Sequence, residues 1–230
     1  MNRRTSRLLR AMAFLPAVPL LLGASAAVNS EQSKPASQIV KDAVAATRQA
    51  KDFLVAGTIN AGGTSMTLHL AMSARGGGGS IGIPKVTMDI ITSGKYAYIK
   101  ADEASWVALG AGDKQTAKQI AGRWIRVAST TSGFSNFVQL TYSDKFLQAL
   151  FTSMPGFTKQ SGAHQLNGHP VIVLVDAQHE SMDVAATGNP YIVRVASPAK
   201  GGTTGALDFS QFGTVKVPQP PANYLTLPGV

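Results

Sequence analysis

Ser197 and Lys200 stand in Ser197-Pro198-Ala199-Lys200, the S-x-x-K spacing of serine acyl-enzymes. In those enzymes the pattern opens a helix, so that the lysine amine faces the serine hydroxyl. Here Pro198 and the following Gly201-Gly202 predict a turn, and no partner motif accompanies it. His164 and His169 flank a turn and could meet across a hairpin, but two imidazoles are too few for zinc without carboxylates beside them. Asp176, His179 and Glu180 offer such ligands at the far end of the same strand, yet nothing in their spacing forces the groups together. Surface histidines are the simpler reading. The glycines at 76–79 lack the Lys-Ser/Thr and the following helix of a phosphate loop, which leaves a hairpin tip or a flap. The chain has no cysteine, which excludes disulfides, thiolate metal sites and cysteine nucleophiles. The expectation is a non-enzymatic protein with no catalytic residue, no metal and no cofactor.

What remains to do chemistry is hydrocarbon. Met66, Leu68, Leu70 and Met72 alternate with Ser65, Thr67, His69, Ala71 and Ser73, the period of a strand with one dry face. Val86, Met88 and Ile90 repeat the pattern against Lys85, Thr87 and Asp89, and residues 95–100 are rich in strand formers. Neighbouring strands of this kind make one broad apolar wall. Phe134, Phe137, Phe146, Leu150 and Phe151 could supply a helical lid over it. Burying ten methylenes of a guest between wall and lid contributes about 8 kcal/mol gross, reduced by the costs of association. Methionines suit a lining that must fit irregular chains. Two readings stay open on these residues: a closed core that they fill, or a cavity that they line.

These strands need an exported scaffold of ordinary size. Arg3, Arg4, Arg7 and Arg10 precede an apolar run over 11–22 and the small-residue site Ala24-Ser25-Ala26. That order predicts a secretory signal peptide over 1–26 with cleavage before Ala27; Arg3-Arg4 also permits a twin-arginine reading, although its flanks fit poorly. Removing the leader leaves 21 − 4 = 17 basic and 12 acidic residues, a net +5 in place of +9. No Lys/Arg cluster reads as a nucleic-acid footprint, and so modest an excess draws the protein only weakly to anionic membrane or cell-wall polymer. Charged residues are 14% of the chain while Gly (23) and Pro (12) are plentiful, which favours strands and turns. The segment 27–36 is expected as a flexible tether and 37–230 as one domain, a monomer.

Along that domain the spacing predicts a helix over 37–53, with Ile39, Ala43, Ala46, Ala50 and Phe53 on one face. Strands follow over 54–61 and 64–74, joined at Gly62-Gly63. A looser turn at 76–79 leads to a third strand interrupted at Pro84, then a fourth after Ser93-Gly94. The middle reads as short helices, one capped by Asp113 and another by Ser143, with Trp106 and Trp124 as core anchors. Strands return over 157–166, 169–177, 181–186, 191–196 and 205–209, and a proline-rich tail with Pro218, Pro220 and Pro221 runs along an edge. About nine strands joined by short turns give an α+β fold with a strongly curved antiparallel sheet.

The order of several short motifs carries a resemblance. Gly94-Lys95-Tyr96-Ala97-Tyr98-Ile99-Lys100 is followed by Trp106, by Ala121-Gly122-Arg123-Trp124-Ile125-Arg126-Val127, and by Leu166-Asn167-Gly168 before an apolar strand. Asn189-Pro190-Tyr191-Ile192-Val193-Arg194-Val195 and Leu207-Asp208-Phe209-Ser210-Gln211-Phe212-Gly213 complete the series. Over residues 37–218 the chain resembles the actinobacterial LppX/LprAFG lipoprotein family. The resemblance implies a half-barrel similar to the lipoprotein carrier LolA, with helices on the concave face and an apolar cavity beneath them. It also implies binding or carriage of a lipid or other acylated ligand in the cell envelope. The family's anchoring cysteine after the leader is missing here, where the chain reads Gly23-Ala24-Ser25-Ala26, so a secreted, unanchored form is expected.

Overall fold

A computed structural model describes residues 28–110, 113–151, 156–198 and 203–226. The leader, Lys200, the Gly201-Gly202 turn and the Met154-Pro155 helix stop lie outside the described residues. Within them the chain forms α1 (Ala36–Gln49), β1 (Asp52–Ala61), β2 (Thr64–Ser73), β3 (Gly76–Ile83), β4 (Val86–Ser93) and β5 (Tyr96–Ala101). Then come α2 (Glu103–Ala108), α3 (Lys114–Ile120), β6 (Ile125–Ala128), α4 (Ser135–Gln139) and α5 (Ser143–Phe151). The last third is β7 (Thr158–Lys159), β8 (His164–Leu166), β9 (His169–Val175), β10 (Ser181–Ala185), β11 (Ile192–Ser197), β12 (Thr203–Ser210) and β13 (Leu225–Thr226).

All thirteen strands belong to one sheet, in the order β13-β6-β5-β4-β3-β2-β1-β12-β11-β10-β9-β7, with β8 also on β9. The first and last long strands meet at its centre, where Val55 pairs with Phe209. Every pairing is antiparallel except at one edge, where the proline-rich tail returns and β13 runs parallel to β6. The fold is therefore an α+β half-barrel, as expected, with more and shorter strands than the sequence pattern resolves. Its concave side holds the core: Phe53, Val55, Leu70, Met72, Ile81, Met88, Ile90, Ile99, Ile125 and Leu174 are fully buried there.

The glycines at 76–79 are a correction. They are not a turn but the first half of β3, and the turn lies one step earlier, at Ala74-Arg75. Side-chain alternation could not reveal a strand that has no side chains. Gly79 has φ +148°, and a Cβ placed on it would stand 2.0 Å from the carbonyl oxygen of His69 on β2. A non-glycine residue cannot hold that backbone beside its neighbour strand, and such positions are where a sheet is bent. Pro84 likewise sits in the turn between β3 and β4, beside Lys85 at φ +67°, and interrupts no strand. The tether expectation also changes over residues 28–34. Val28 bridges to Thr187, Asn29 Nδ2 donates to the carbonyl of Ala185 at 2.8 Å, and Glu31 is buried with Lys34 Nζ 2.6 Å from its Oε1.

The helices form where expected, but α1 ends at Gln49, not at 53: Lys51 turns at φ +70°, and Phe53, expected on the helix face, lies in β1. Pro35 precedes α1, which buries Ile39, Ala43 and Thr47, four residues apart on one face; Thr47 Oγ1 accepts the Ile192 N–H at 3.1 Å and so fixes the helix to β11. Asp102 and Asp113 cap α2 and α3, accepting from Ser105 N at 2.7 Å and Thr116 N at 2.8 Å, and these bonds hold both carboxyls below the ordinary range. Replacing Gly79 by Ala is expected to cost about 3 kcal/mol from backbone strain and overpacking. Gly94→Ala, at φ +58° in an open turn, is expected to cost about 1 kcal/mol. Thermal melts of both variants check this ordering.

Candidate functional site

The inner surface of β2, β3 and β4 is a wall with a shallow trough. Pairing sets Leu68 beside Ile81 and Met88 in one row, and Leu70 beside Gly79 and Ile90 in the next. Met72 lies beside Gly77, and Gly77 beside Thr92 by continuation of the same register. The glycines lower the floor between two apolar ridges. The chain joining α4 to α5 enters that gap: a Cβ on Gly77 would stand 2.7 Å from the Thr141 carbonyl oxygen.

Hydroxyls fasten this loop to the floor. The Gly77 N–H donates to Thr92 Oγ1 at 3.2 Å, Thr92 Oγ1 and Thr141 Oγ1 share a hydrogen bond, and Thr141 Oγ1 donates to the Val138 carbonyl at 2.7 Å. Both threonines are buried, so the chain Gly77–Thr92–Thr141–Val138 satisfies groups that would otherwise be costly. It ties the helical lid to the sheet at one place. Near it, Trp106 from α2 meets Phe134 edge-on at 6.3 Å.

The apolar residues singled out from sequence join this core, except Val86, which is buried outside the cluster. Leu68, Leu70, Met72, Val86, Met88 and Ile90 on the wall and Phe146 on the lid are buried, whereas Met66, Phe134, Phe137, Leu150 and Phe151 are half-buried and pack against the same cluster. Burial falls along the wall toward the β1–β2 hairpin: Met72, Leu70 and Leu68 are closed, while Met66 and its cross-strand partner Ile59 are partly open.

The chemistry-bearing residues do not assemble. Ser197 ends β11, with its hydroxyl 3.4 Å from Glu180 Oε1, and no helix follows it among the described residues. His164 pairs with Val171 and His169 with Leu166, so the two imidazoles are not opposite one another. No group of three His, Asp or Glu among the described residues is placed to hold a metal. Gly78-Gly79-Ser80-Ile81-Gly82 spells G-x-S-x-G, a motif wrongly read from the sequence as absent. That pattern works as a strand-to-helix elbow; here Ser80 is in mid-strand, paired with His69 on one side and Asp89 on the other. A triad needs the imidazole between serine and carboxylate, and Asp89 is ion-paired to Lys100 at 2.9 Å.

The outer face carries the charges. Arg194 on β11 grips Asp208 on β12 through two bonds, of 2.6 and 3.0 Å, and Asp183 on β10 pairs across from Arg194. Half-burial pushes the Asp183 carboxyl up, against the opposing pull of Arg194 and His164. Beside this ladder an apolar groove of about 550 Å³ runs from Leu166 and Val171 to Tyr191, which stacks on Phe212 at 4.2 Å. Trp124 also belongs to the outer face: it is half-exposed beneath Lys100, whose Nζ lies 4.8 Å from its ring centre, and is not the core anchor expected.

Two outcomes are expected from these contacts. Thr141→Val removes the link between lid and floor and costs about 1–2 kcal/mol, with amide exchange accelerating in α4 and α5 more than in β3 and β4. Asp183→Asn raises Tm at neutral pH. A carboxyl whose folded pKa is raised costs stability while ionised, so the variant's advantage shrinks as pH falls through that folded pKa. Thermal melts across acid to neutral pH check the sign.

No family model matches the sequence, and no curated protein matches it. Solved structures do. LprF from Mycobacterium bovis superposes with a TM-score of 0.51 at 15% identity, covering 84% of this chain and 99% of its own. Lipoprotein LppX from Mycobacterium tuberculosis gives 0.48 at 12%, covering 79% and 97%, and a LolA superfamily protein from Nitrosomonas europaea gives 0.30 at 12%, covering 80% and 96%. At these identities the likeness is one of architecture, and the chain has the half-barrel fold of LprF.

Proposed function

We propose that this protein is a non-enzymatic, secreted carrier of the cell envelope that holds a lipid or other acylated ligand between the concave wall and its helical lid. The observation that carries this reading is the state of the lid. Phe134, Phe137, Leu150 and Phe151 lie on the core without being sealed into it, and Ile59 and Met66 extend the wall past the fully closed rows. Large half-buried apolar side chains on both lid and wall give an acyl chain surface to cover at little reorganisation cost. Among the described residues the polar ties of α4 and α5 to the wall gather at Thr141 and Tyr142, through Thr92, the Ser73 bridge and the Gly94 carbonyl, so the helices can part from the wall away from that seat. The family resemblance supports the same class of ligand. The residues proposed to line the ligand's path are Met66, Leu68, Leu70, Met72, Val86, Met88 and Ile90 on the wall and Phe134, Phe137, Phe146, Leu150 and Phe151 on the lid.

A second reading has an observation of its own. Leu70, Met72, Met88 and Ile90 are closed against the chain's own side chains, as they would be in an envelope interaction module whose core has no guest.

Native mass spectrometry and solvent extraction of protein purified from its own host separate the two. A carrier is expected to release a bound acyl species, and Met66→Asp, at a partly open position, is expected to lower that load at least about tenfold while the fold persists. Protein that yields no acyl species, and no affinity for lipid probes, leaves the interaction module standing and removes the carrier.

A further inference from the structure

The outer face at the β6–β13 edge has a built arrangement that the interior reading does not use. Side chains of Tyr96, Tyr98, Trp124 and Arg126 share that face by strand alternation, since Tyr98 pairs with Arg126 across β5 and β6. The returning tail adds Tyr224. Arg126 lies between two rings, its guanidinium carbon 4.7 Å from the centre of Tyr96 and 4.8 Å from that of Tyr224, and its Nη1 donates to Tyr224 Oη at 3.1 Å. Tyr98 meets Tyr224 edge-on at 5.3 Å. Lys95 Nζ is 5.4 Å from the centre of the Tyr96 ring.

The charges on this face are unbalanced. Lys100 is answered by Asp89, but Arg126, Arg123 and Lys95 meet no carboxylate among the described residues. Arg126 has five donors and spends one on Tyr224. A guanidinium held in place by two rings keeps its remaining donors pre-positioned, and a planar fork of donors suits phosphate oxygens. Next to it, Arg123, Trp124, Asn223 and Tyr224 line an open cleft of about 620 Å³, room enough for a lipid headgroup.

We propose that this edge is the protein's docking surface for an anionic phospholipid bilayer, with Arg123 and Arg126 on headgroup phosphates and Trp124 and Tyr224 at the level of the glycerol and carbonyl groups. Half-exposed Trp and Tyr beside Arg and Lys is the composition that rests at a membrane–water interface. An anionic glycan fits less well. Sugars stack on free ring faces, and here Tyr96, Trp124 and Tyr224 each already have a cation over a face. The proposal goes beyond the carrier reading and does not require a ligand in the core.

Flotation of the full protein with phosphatidylcholine vesicles, with and without phosphatidylglycerol, tests it. Wild type is expected to float with the anionic vesicles, to lose them in high salt and to ignore the zwitterionic ones. Arg123→Gln with Arg126→Gln is expected to weaken partition by about fivefold for each cation lost; Lys41→Gln on α1 is not. Trp124→Ala is expected to weaken it as well, and if that variant does not fold the arginine pair alone decides. Flotation unchanged in the arginine pair, equal binding to both vesicle types, or capture by soluble polyphosphate in preference to vesicles each overturns the proposal. The arginine variants' acyl load by native mass spectrometry is a separate readout, so failure to dock leaves the carrier question untouched.

Discussion

The interior depends on a steric constraint: β3 must pass between β2 and β4 with no side chains on its first half. Gly77 and Gly79 allow neighbouring strands to close around a bend and leave the gap that the α4–α5 loop enters. Were that space filled, the loop could not reach Thr92, and the lid would lose its buried hydroxyl anchor on the sheet. The curvature of the wall and the seat of its cover thus come from the same few missing atoms.

That arrangement makes the cover uneven. At Thr92 and Thr141 the lid is held by directional bonds between buried groups, which are lost together or kept together. Away from that anchor, Phe137, Leu150 and Met66 each pack on the apolar cluster, and hydrocarbon contacts of that kind separate without stranding a polar group. A lid seated through Thr141 and Tyr142 and held elsewhere by hydrocarbon can lift from the wall beyond that seat. Such asymmetry is what a container for a flexible chain needs: a fixed register for closing, and no polar cost for opening.

The strands with side chains were legible because alternation reports which face is dry, and the resemblance in motif order pointed to the half-barrel that the structure has. The apolar residues expected to line a site, Val86 apart, lie in or against one core cluster, which a filled core would show equally. The missed features share a cause. A glycine strand emits no alternation, so β3 read as a turn. Trp124 is a large ring whose face cannot be assigned until its strand's register is known, and that register places it beside Lys100 on the outside. The Arg126–Tyr224 clamp joins residues 98 apart, and no local pattern encodes a partner at that distance. Asn29 and Glu31 read as tether because their partners, Ala185 and Lys34 with Asp42, are supplied by the fold.

The pleat divides labour between the two faces of each strand. On β5 and β6, Ala97, Ile99, Ile125 and Val127 turn inward to the core while Tyr96, Tyr98, Trp124 and Arg126 turn outward. A one-residue slip of this pair would send the cations into hydrocarbon and the aliphatics into water, so inner and outer chemistry hold each other in register. The tail reinforces that register from the edge: Leu225 donates its N–H to the Trp124 carbonyl at 2.8 Å, and Tyr224 closes over Arg126. The edge strand that would otherwise expose unpaired backbone is thereby covered by the segment that completes the aromatic clamp. The same residues that end the sheet also shape its cationic outer edge, and a change at Tyr224 would be felt on both.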